Sequence, residues 1–258
     1  MFNLLNSVSR SSLRLRPFPH FVIENALPSD IYARLSSSFP HEILTSGHPS
    51  VINDRGHTRR LLRKDFGCFS SLDPIWNQFA SENTSLEFFR TASQFFFSPI
   101  IDKLYPGLLS KLASIPVGPR TLDPKIDSQS ALTDFQLVSN LPRSDSHTSR
   151  TPHLDNPQQL YALLYYMRDD TDQSIGGGLQ LYQPKKSAFS APHNRGRSID
   201  PVHLNDYYTL HYSSNTAIFF LNTRSSYHAV QPIYQQTIAR RSINIIGELP
   251  SGSSLFSI

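Results

Sequence analysis

Two short motifs of this chain contain residue types that bind metal ions. "HLDNP" places His153 and Asp155 one residue apart, and "HAVQP" begins far downstream with His228. Two imidazoles and one carboxylate on one face of a ferrous ion leave its other positions open for an organic chelate and oxygen. The alternative is that His153 and Asp155 belong to a polar turn before a strand, since a His-x-Asp triplet alone arises easily by chance.

A cationic motif follows His228. "RRSINI" contains Arg240 and, two positions later, Ser242. An arginine guanidinium forms two parallel hydrogen bonds to a carboxylate and stays charged in a buried pocket. Strand alternation puts Arg240, Ser242 and Asn244 on one face and Arg241 on the other. The polar face suits a pocket, which favours Arg240 as the carboxylate-binding residue. Arg241 is the competing candidate.

The first half of the chain has a helical pattern. In residues 17–40 a short strand at 21–23 is followed by a helix that starts near Ser29 or Asp30. Between residues 72 and 114, apolar residues recur mostly three or four apart, which predicts helices. The many aromatic residues of this region are interpreted as a core face rather than a ligand site.

From residue 133 the pattern changes to short β-prone segments separated by turn-forming residues. These are "DFQLVSN", "LYALLYYM", "GGLQLYQP", "YYTLHYS", "TAIFFLN", "HAVQPIY" and "ARRSINIIGEL". With no helical pattern between them, they predict an antiparallel sandwich or barrel. A polar insertion at residues 185–206 is long enough to be functional, and we expect it to form a lid beside the metal.

In this order the motifs resemble the Fe(II)- and 2-oxoglutarate-dependent oxygenases, and within them the prolyl-4-hydroxylase-like branch. The resemblance covers residues 134–249 and includes "HLDNP", "LLYYM", "GGGLQLY", "FFLN", "HAVQP" and the Arg-x-Ser pattern. It implies a mainly β protein with an α-helical N-terminal part, built on a double-stranded β-helix (a cupin-like jelly roll). We expect one domain over residues 1–258, with a helical support region and first strands in 1–130 and the jelly-roll core in 131–249.

The resemblance also implies roles for individual residues. His153, Asp155 and His228 would ligate Fe(II), and Arg240 would pair with the distal carboxylate of 2-oxoglutarate (2OG). Ser242 and Tyr166 are expected to contact the same cosubstrate, although Tyr166 could equally be a sheet aromatic with a solvated hydroxyl. The implied cofactors are Fe(II) and 2OG, with ascorbate as an optional addition.

The implied reaction is hydroxylation of an unactivated carbon of an amino acid, a peptidyl residue or a small metabolite, with O2 consumed and 2OG decarboxylated to succinate. Asp155 favours hydroxylation over halogenation, because related halogenating enzymes have a small residue there. Desaturation or cyclisation would need no different ligands. The alternative from another class is a non-catalytic cupin-like protein that binds a metal or a small molecule, and a carbohydrate-binding sandwich is a third. The presence of Arg240 with Ser242 distinguishes the oxygenase from both alternatives, since neither of them needs a buried cation facing the metal.

Composition limits the partners. The 258 residues carry 24 basic and 20 acidic side chains, a net charge of +4, and the basic residues are mostly scattered, which disfavours nucleic acid. No apolar run has membrane-spanning length. The single cysteine, Cys68, fits a reducing compartment, and we expect a cytoplasmic protein. The arginine- and serine-containing N-terminus overlaps with transit peptides but is predicted to be an ordinary frayed end. The sequence leaves open whether the protein forms a homodimer.

Overall fold

The computed structural model describes residues 2–54, 56–121, 130–143, 150–194 and 197–257. Its α-helices are α1 Ser29–Ser37, α2 His41–Thr45, α3 Pro74–Asn83, α4 Leu86–Arg90, α5 Ser98–Leu104 and α6 Leu108–Ala113, with a π-helical turn at Thr91–Phe96. Its strands are β1 His20–Glu24, β2 Val51–Asp54, β3 Thr58–Leu62, β4 Val117–Pro119, β5 Ala131–Asn140, β6 Gln159–Tyr166, β7 Ile175–Gly176, β8 Leu179–Pro184, β9 Leu204–Leu210, β10 Thr216–Leu221, β11 His228–Val230, β12 Ile233–Tyr234 and β13 Arg240–Glu248.

The helices pack on one face of a large sheet. Helix α3 begins where the Asp73 side chain accepts a hydrogen bond from the backbone N–H of Ile75, with Pro74 in the first turn. Trp76 and Phe79 on this helix are fully buried, and the Phe79 ring packs edge-on against Phe135 of β5 with ring centroids 5.7 Å apart. The prediction that the aromatic residues of this region form a core face is confirmed.

The large sheet runs in the order β1-β10-β6-β13-β5-β3-β2, with β4 paired in parallel to β5. Along the path all neighbours are antiparallel. Alternation gives the sheet two different faces. Ile243 and Ile245 of β13 point into the core shared with the helices, whereas Ser242 and Asn244 line a cavity on the opposite side.

A smaller sheet in the order β11-β8-β9 covers that opposite side. Between the two sheets lies a second core that contains Tyr166 and Phe220 from the large sheet and Leu181 and Leu210 from the small one. A two-stranded ribbon pairs β12 with β7. The chain is therefore mainly antiparallel β, as predicted, and the helical N-terminal part is confirmed in part because β1, β2 and β3 also lie there.

Several strand boundaries differ from the prediction. The segment "HAVQPIY" forms two strands, β11 and β12, because proline at position 232 cannot donate a ladder hydrogen bond. The strand predicted at 207–213 is β9 at Leu204–Leu210. Strands β2 and β3 were not predicted, since the sequence "TRRLL" of β3 is too basic to suggest a sheet strand. No helix in the described part of the chain has the length and apolarity to cross a bilayer.

Gly247 in β13 offers a test of the packing between the large sheet and the helices. A Cβ at this position would collide with the Tyr161 ring. We expect Gly247→Ala to lower the free energy of unfolding by about 1–3 kcal/mol, the usual cost of overpacking. Gly67→Ala is the matched control, because nothing lies within 4 Å of its added Cβ. Urea denaturation of both variants measures the effect, and equal stabilities would contradict the packing described.

Candidate active site

The two histidines of the sequence motifs are joined through their backbones. The N–H of His153 donates to the carbonyl of His228 at 3.0 Å, and the N–H of His228 donates to that of His153 at 3.1 Å. This isolated antiparallel bridge makes the two residues direct neighbours, so their side chains stand on the same side. On its other edge, His228 is paired with Leu181 of β8, which fixes the bridge to the small sheet.

The bridge brings three potential metal ligands together. Nε2 of His153 lies 3.7 Å from Oδ1 of Asp155, and Nε2 of His228 lies 3.8 Å from the same oxygen. The imidazole centroids are 4.4 Å apart. One ligand atom from each residue falls within 4.8 Å of the others, and this is the group of potential metal ligands found in the described residues. Two imidazole nitrogens and one carboxylate oxygen form the donor set of a non-haem Fe(II) centre.

Backbone carbonyls orient both imidazoles. Nδ1 of His153 is 2.8 Å from the carbonyl oxygen of Thr151, and Nδ1 of His228 is 2.8 Å from that of Ser226. A carbonyl can only accept, so each Nδ1 carries a proton, which leaves Nε2 as the nitrogen that can bind a metal. This outer arrangement is typical of metal-binding histidines.

The protonation states also suit a metal. Burial, followed by the neighbouring His228, lowers the pKa of His153 to about 4, so its ring is neutral at pH 7. Burial alone would raise the pKa of Asp155, but the neighbouring imidazoles of His228 and His153 outweigh burial and lower it. His153 and Asp155 therefore offer a neutral imidazole and an ionised carboxylate without prior loss of a proton.

A cavity of about 290 Å³ lies beside the three ligands. Gln136 and Asn140 of β5 and Ser242 and Asn244 of β13 form a polar floor on the inner face of the large sheet. Leu179 and Phe220 close the apolar part of the wall. A concave apolar site with a few convergent polar groups is the usual form of a small-molecule site.

Arg240 is buried in the wall of this cavity. It is 3% exposed. Nε donates to the carbonyl of Gly177 at 2.8 Å, and Nη1 donates to Oδ1 of Asn140 at 3.0 Å. Nη2 is buried and has no hydrogen-bond partner, and no ion pair of Arg240 exists within the described ranges. A buried cation without an anion is unfavourable, so the wall is built for an anionic ligand.

Tyr166 and Ser242 lie beside Arg240. In the pairing of β13 with β6, Ser242 is directly opposite Tyr166, so both face the cavity side of the sheet. The Arg240 guanidinium carbon lies 4.8 Å from the Tyr166 ring centroid. Burial raises the pKa of Tyr166, whereas the charge of Arg240 and a side-chain hydrogen bond with it lower that pKa. Neither the buried Tyr166 hydroxyl nor Nη2 of Arg240 has a partner in normal hydrogen-bond geometry, so the two groups are neighbouring donors beside the cavity.

The competitor Arg241 points to the other face, as alternation predicts. It donates to the carbonyl of Met167 and pairs with Asp169, with Nη2 3.0 Å from Oδ2. Asn222, another amide that could have faced the pocket, donates instead to the carbonyls of Asn156 and Gln159 and closes a turn. The loop residue His193 hydrogen-bonds the hydroxyl of Tyr227, and His147 lies outside the described residues.

The second half of the insertion at residues 185–206 is attached to the metal-ligand segment. Ser198 forms a bridge with His153, and the carbonyl of Arg197 accepts from the N–H of Leu154 at 3.2 Å. Lid motion of this insertion stays a prediction. Cavity residues that the sequence did not reveal are Arg60, Asn140, Arg150 and Arg197. Asn140 had a usable signal in the sequence, because alternation along "DFQLVSN" puts it on the same strand face as Gln136.

With this geometry in place, comparison with known families becomes informative. Residues 139–246 match the model of the 2OG-Fe(II) oxygenase superfamily. The matched segment covers less than half of the chain, and it contains the three potential metal ligands and the Arg-x-Ser pair. The enzymes of this superfamily use Fe(II) and 2OG. The match and the ligand geometry support a 2OG-dependent dioxygenase, called the oxygenase below, that acts on a substrate with O2.

No curated protein matches the oxygenase in sequence. Three solved structures resemble it. A prolyl-4-hydroxylase of Pseudomonas putida is 11% identical with a TM-score of 0.43, over 89% of this chain and 92% of the other. A prolyl hydroxylase of Trichoplax adhaerens, in complex with a hypoxia inducible factor peptide fragment, is 14% identical with a TM-score of 0.44, over 89% and 76%. A prolyl 4-hydroxylase of Phytophthora capsici is 13% identical with a TM-score of 0.47, over 91% of this chain and 60% of the other.

The ligand cluster predicts that the oxygenase binds a divalent metal through both histidines. We expect His153→Ala and His228→Ala each to weaken binding by more than about a hundredfold, beyond the effect of losing an outer-shell contact. Anaerobic titration with Fe(II), followed by calorimetry, measures the affinity. His203→Ala is the control, since this exposed histidine contacts Ser187 in the insertion. Undiminished affinity in either ligand variant would contradict the assignment.

Proposed function

We propose that the chain is an Fe(II)- and 2OG-dependent hydroxylase whose iron ligands are His153, Asp155 and His228. In this proposal Arg240 binds the distal carboxylate of 2OG, with Ser242 and Tyr166 as further contacts. The cosubstrate would thus lie on the polar floor of the cavity, between the buried guanidinium and the metal.

One observation carries the proposal: two buried donors without partners in normal hydrogen-bond geometry lie side by side, one of them in the cavity wall. They are Nη2 of Arg240 and the hydroxyl of Tyr166. A buried donor left unpaired costs about 1–3 kcal/mol, and a charged one costs more. A carboxylate placed here would satisfy both, and 2OG has such a group at the end that does not chelate the metal. The residues present therefore fit the cosubstrate of the family.

When bound, iron and 2OG supply oxidative decarboxylation to succinate and insertion of one oxygen atom from O2 into a substrate C–H bond. The protein's own residues bind, orient and exclude water. The carbonyls of Thr151 and Ser226 hold the imidazoles in the tautomer that binds a metal. Asp155 occupies a position that, in the halogenating relatives, is left for a halide, so we propose hydroxylation as the outcome.

The two sheets support a finer description of the fold. We propose that they are the halves of a double-stranded β-helix, which residues 131–249 would form, with residues 1–130 as a supporting region and the whole chain as one domain. β1 supports this unity, because it pairs with β10 in the large sheet. The motifs favour the prolyl-4-hydroxylase-like branch.

The localisation and the partners of the oxygenase are also proposals. We place the oxygenase in the cytoplasm because its one cysteine, Cys68, is free and exposed. A small molecule or a peptide is the substrate, and neither nucleic acid nor a membrane is needed. A metal-binding jelly roll without turnover is the weaker alternative, because it gives no reason for a buried, unpaired Arg240.

The decisive experiment is anaerobic addition of Fe(II) and 2OG to the purified protein. We expect the visible metal-to-ligand charge-transfer band of the chelate, and succinate after exposure to air. A protein that binds the metal but never develops the band would support the non-catalytic alternative.

Comparison of Arg240→Gln with Arg241→Gln tests which arginine binds 2OG. We expect Arg240→Gln to weaken 2OG binding by about tenfold to a hundredfold while Fe(II) still binds, because a charge-assisted pair is lost. Arg241→Gln should lower Tm, since it breaks the contacts to Asp169 and Met167, but leave the 2OG affinity unchanged. Band titration and thermal denaturation measure the two effects. The reverse pattern would assign 2OG to Arg241.

The Tyr166→Phe variant tests how much the Tyr166 hydroxyl contributes to 2OG binding. We expect the 2OG dissociation constant to rise by about threefold to tenfold, the loss of one neutral hydrogen bond, while Tm stays unchanged or rises because an unpaired buried hydroxyl disappears. Tyr165→Phe is the matched control on the other face of β6, where the hydroxyl contacts Asn215. Equal 2OG affinity in wild type and Tyr166→Phe would remove Tyr166 from the cosubstrate site.

A further inference from the structure

The cavity is lined by more arginine residues than acidic residues. Its charged lining residues are Arg60, Arg150, Arg197 and Arg240 against Asp54 and Asp155. Even when Arg150 is not counted, the formal balance is positive. Loading would not change this balance, because the charges of Fe(II) and 2OG cancel. With Asp155 assigned to the metal and Arg240 to the cosubstrate, the arginines left in the lining are Arg60, Arg150 and Arg197, of which Arg60 pairs with Asp54.

Arg197 is fixed beside the metal ligands in an unusual conformation. Its φ is 59°, in the left-handed region that is costly for a side chain of this size. Its carbonyl accepts from the N–H of Leu154, and its Nε donates to the Leu154 carbonyl at 3.2 Å. Leu154 is the residue between the ligands His153 and Asp155. Backbone strain of this kind persists where the surrounding structure requires it, often at ligand-binding positions.

Arg60 stands across the cavity on the large sheet. It lies on β3 opposite Val138, on the face that lines the cavity. Its Nη2 pairs with Oδ2 of Asp54 at 3.2 Å, but its Nε is buried without a hydrogen-bond partner. This guanidinium is therefore only partly satisfied, and it lies on the large sheet, whereas Arg197 lies in the insertion that contacts Leu154.

We propose that the substrate of this oxygenase carries an acidic group, a carboxylate or a phosphate, that binds between Arg60 and Arg197. The inference rests on the proposed function and specifies its substrate class. The two guanidinium groups would hold the acidic group at the open side of the cavity and orient the rest of the substrate toward the metal. Planar guanidinium groups suit carboxylate and phosphate oxygens equally.

The acidic residues near the cavity do not offer a competing cation site. Asp134 and Glu248 lie at the far end of β5 and β13, and Arg120 contacts both of them. Burial, opposed by Arg120, raises the pKa of each carboxyl group. Their charge is thus already compensated within the protein.

The test uses matched pairs of compounds with the Fe(II)- and 2OG-loaded enzyme. Free amino acids and N-acetyl amino acids are compared with their carboxamides, and phosphate monoesters with the parent alcohols. Substrate-stimulated succinate formation is measured for each. We expect at least one acid to stimulate turnover, with a neutral partner at least about tenfold weaker in kcat/KM, and the responding class decides between carboxylate and phosphate.

Variants tie the effect to the two arginines. For the best acid, Arg60→Gln and Arg197→Asn should each raise KM by about tenfold to a hundredfold with little change in kcat. Asparagine tolerates the left-handed backbone at position 197. Arg197→Lys should restore part of the affinity. Arg59→Gln is the control, because this neighbour on β3 contacts Asn53 and Gly56 outside the cavity. Calorimetry of the acid on the anaerobic complex gives a readout independent of turnover.

The outcomes separate the inference from the proposed function. If the wild-type protein does not develop the charge-transfer band with Fe(II) and 2OG, both the proposed function and the inference are wrong. A normal band with no response to any acid, with equal response to acid and neutral partner, or with unchanged KM and dissociation constant in both variants would overturn the inference alone.

Discussion

The two backbone hydrogen bonds between His153 and His228 are the constraint on which the site depends. They connect a loop that enters β6 to a strand from the other sheet, and they place two imidazoles side by side. Asp155 is then carried into reach because it lies two residues from His153, near both Nε2 atoms. The geometry of the cluster is thus set by main-chain pairing, which is less variable than side-chain rotamers.

Arg240 adds an electrostatic constraint to this geometric one. Its guanidinium is held by Gly177 and Asn140, so it cannot turn toward solvent, yet it keeps an unpaired buried donor. Such an arrangement is unfavourable in isolation and becomes favourable when an anion arrives. We infer that ligand binding contributes to the stability of the whole domain, because the positive charge is located between the two sheets.

Prediction from the sequence succeeded where residue type restricts the chemistry. Few side chains bind iron, so the order of His153, Asp155 and His228 was informative, and strand alternation placed Arg240 on the cavity face. It failed where tertiary context decides. Strand β3 is basic, and its pairing with β5 and β2 cannot be read from its own residues. Arg197 lies in an insertion without periodicity, and its position depends on a bridge between residues distant in sequence.

The most direct test of the account is the crystal structure of the anaerobic protein with Mn(II) in place of Fe(II) and with 2OG, with the metal located by anomalous scattering. The account predicts one metal bonded to Nε2 of both histidines and to the Asp155 carboxylate, with the distal carboxylate of 2OG on Arg240. A metal bound elsewhere, or one from which His228 is absent, would contradict it.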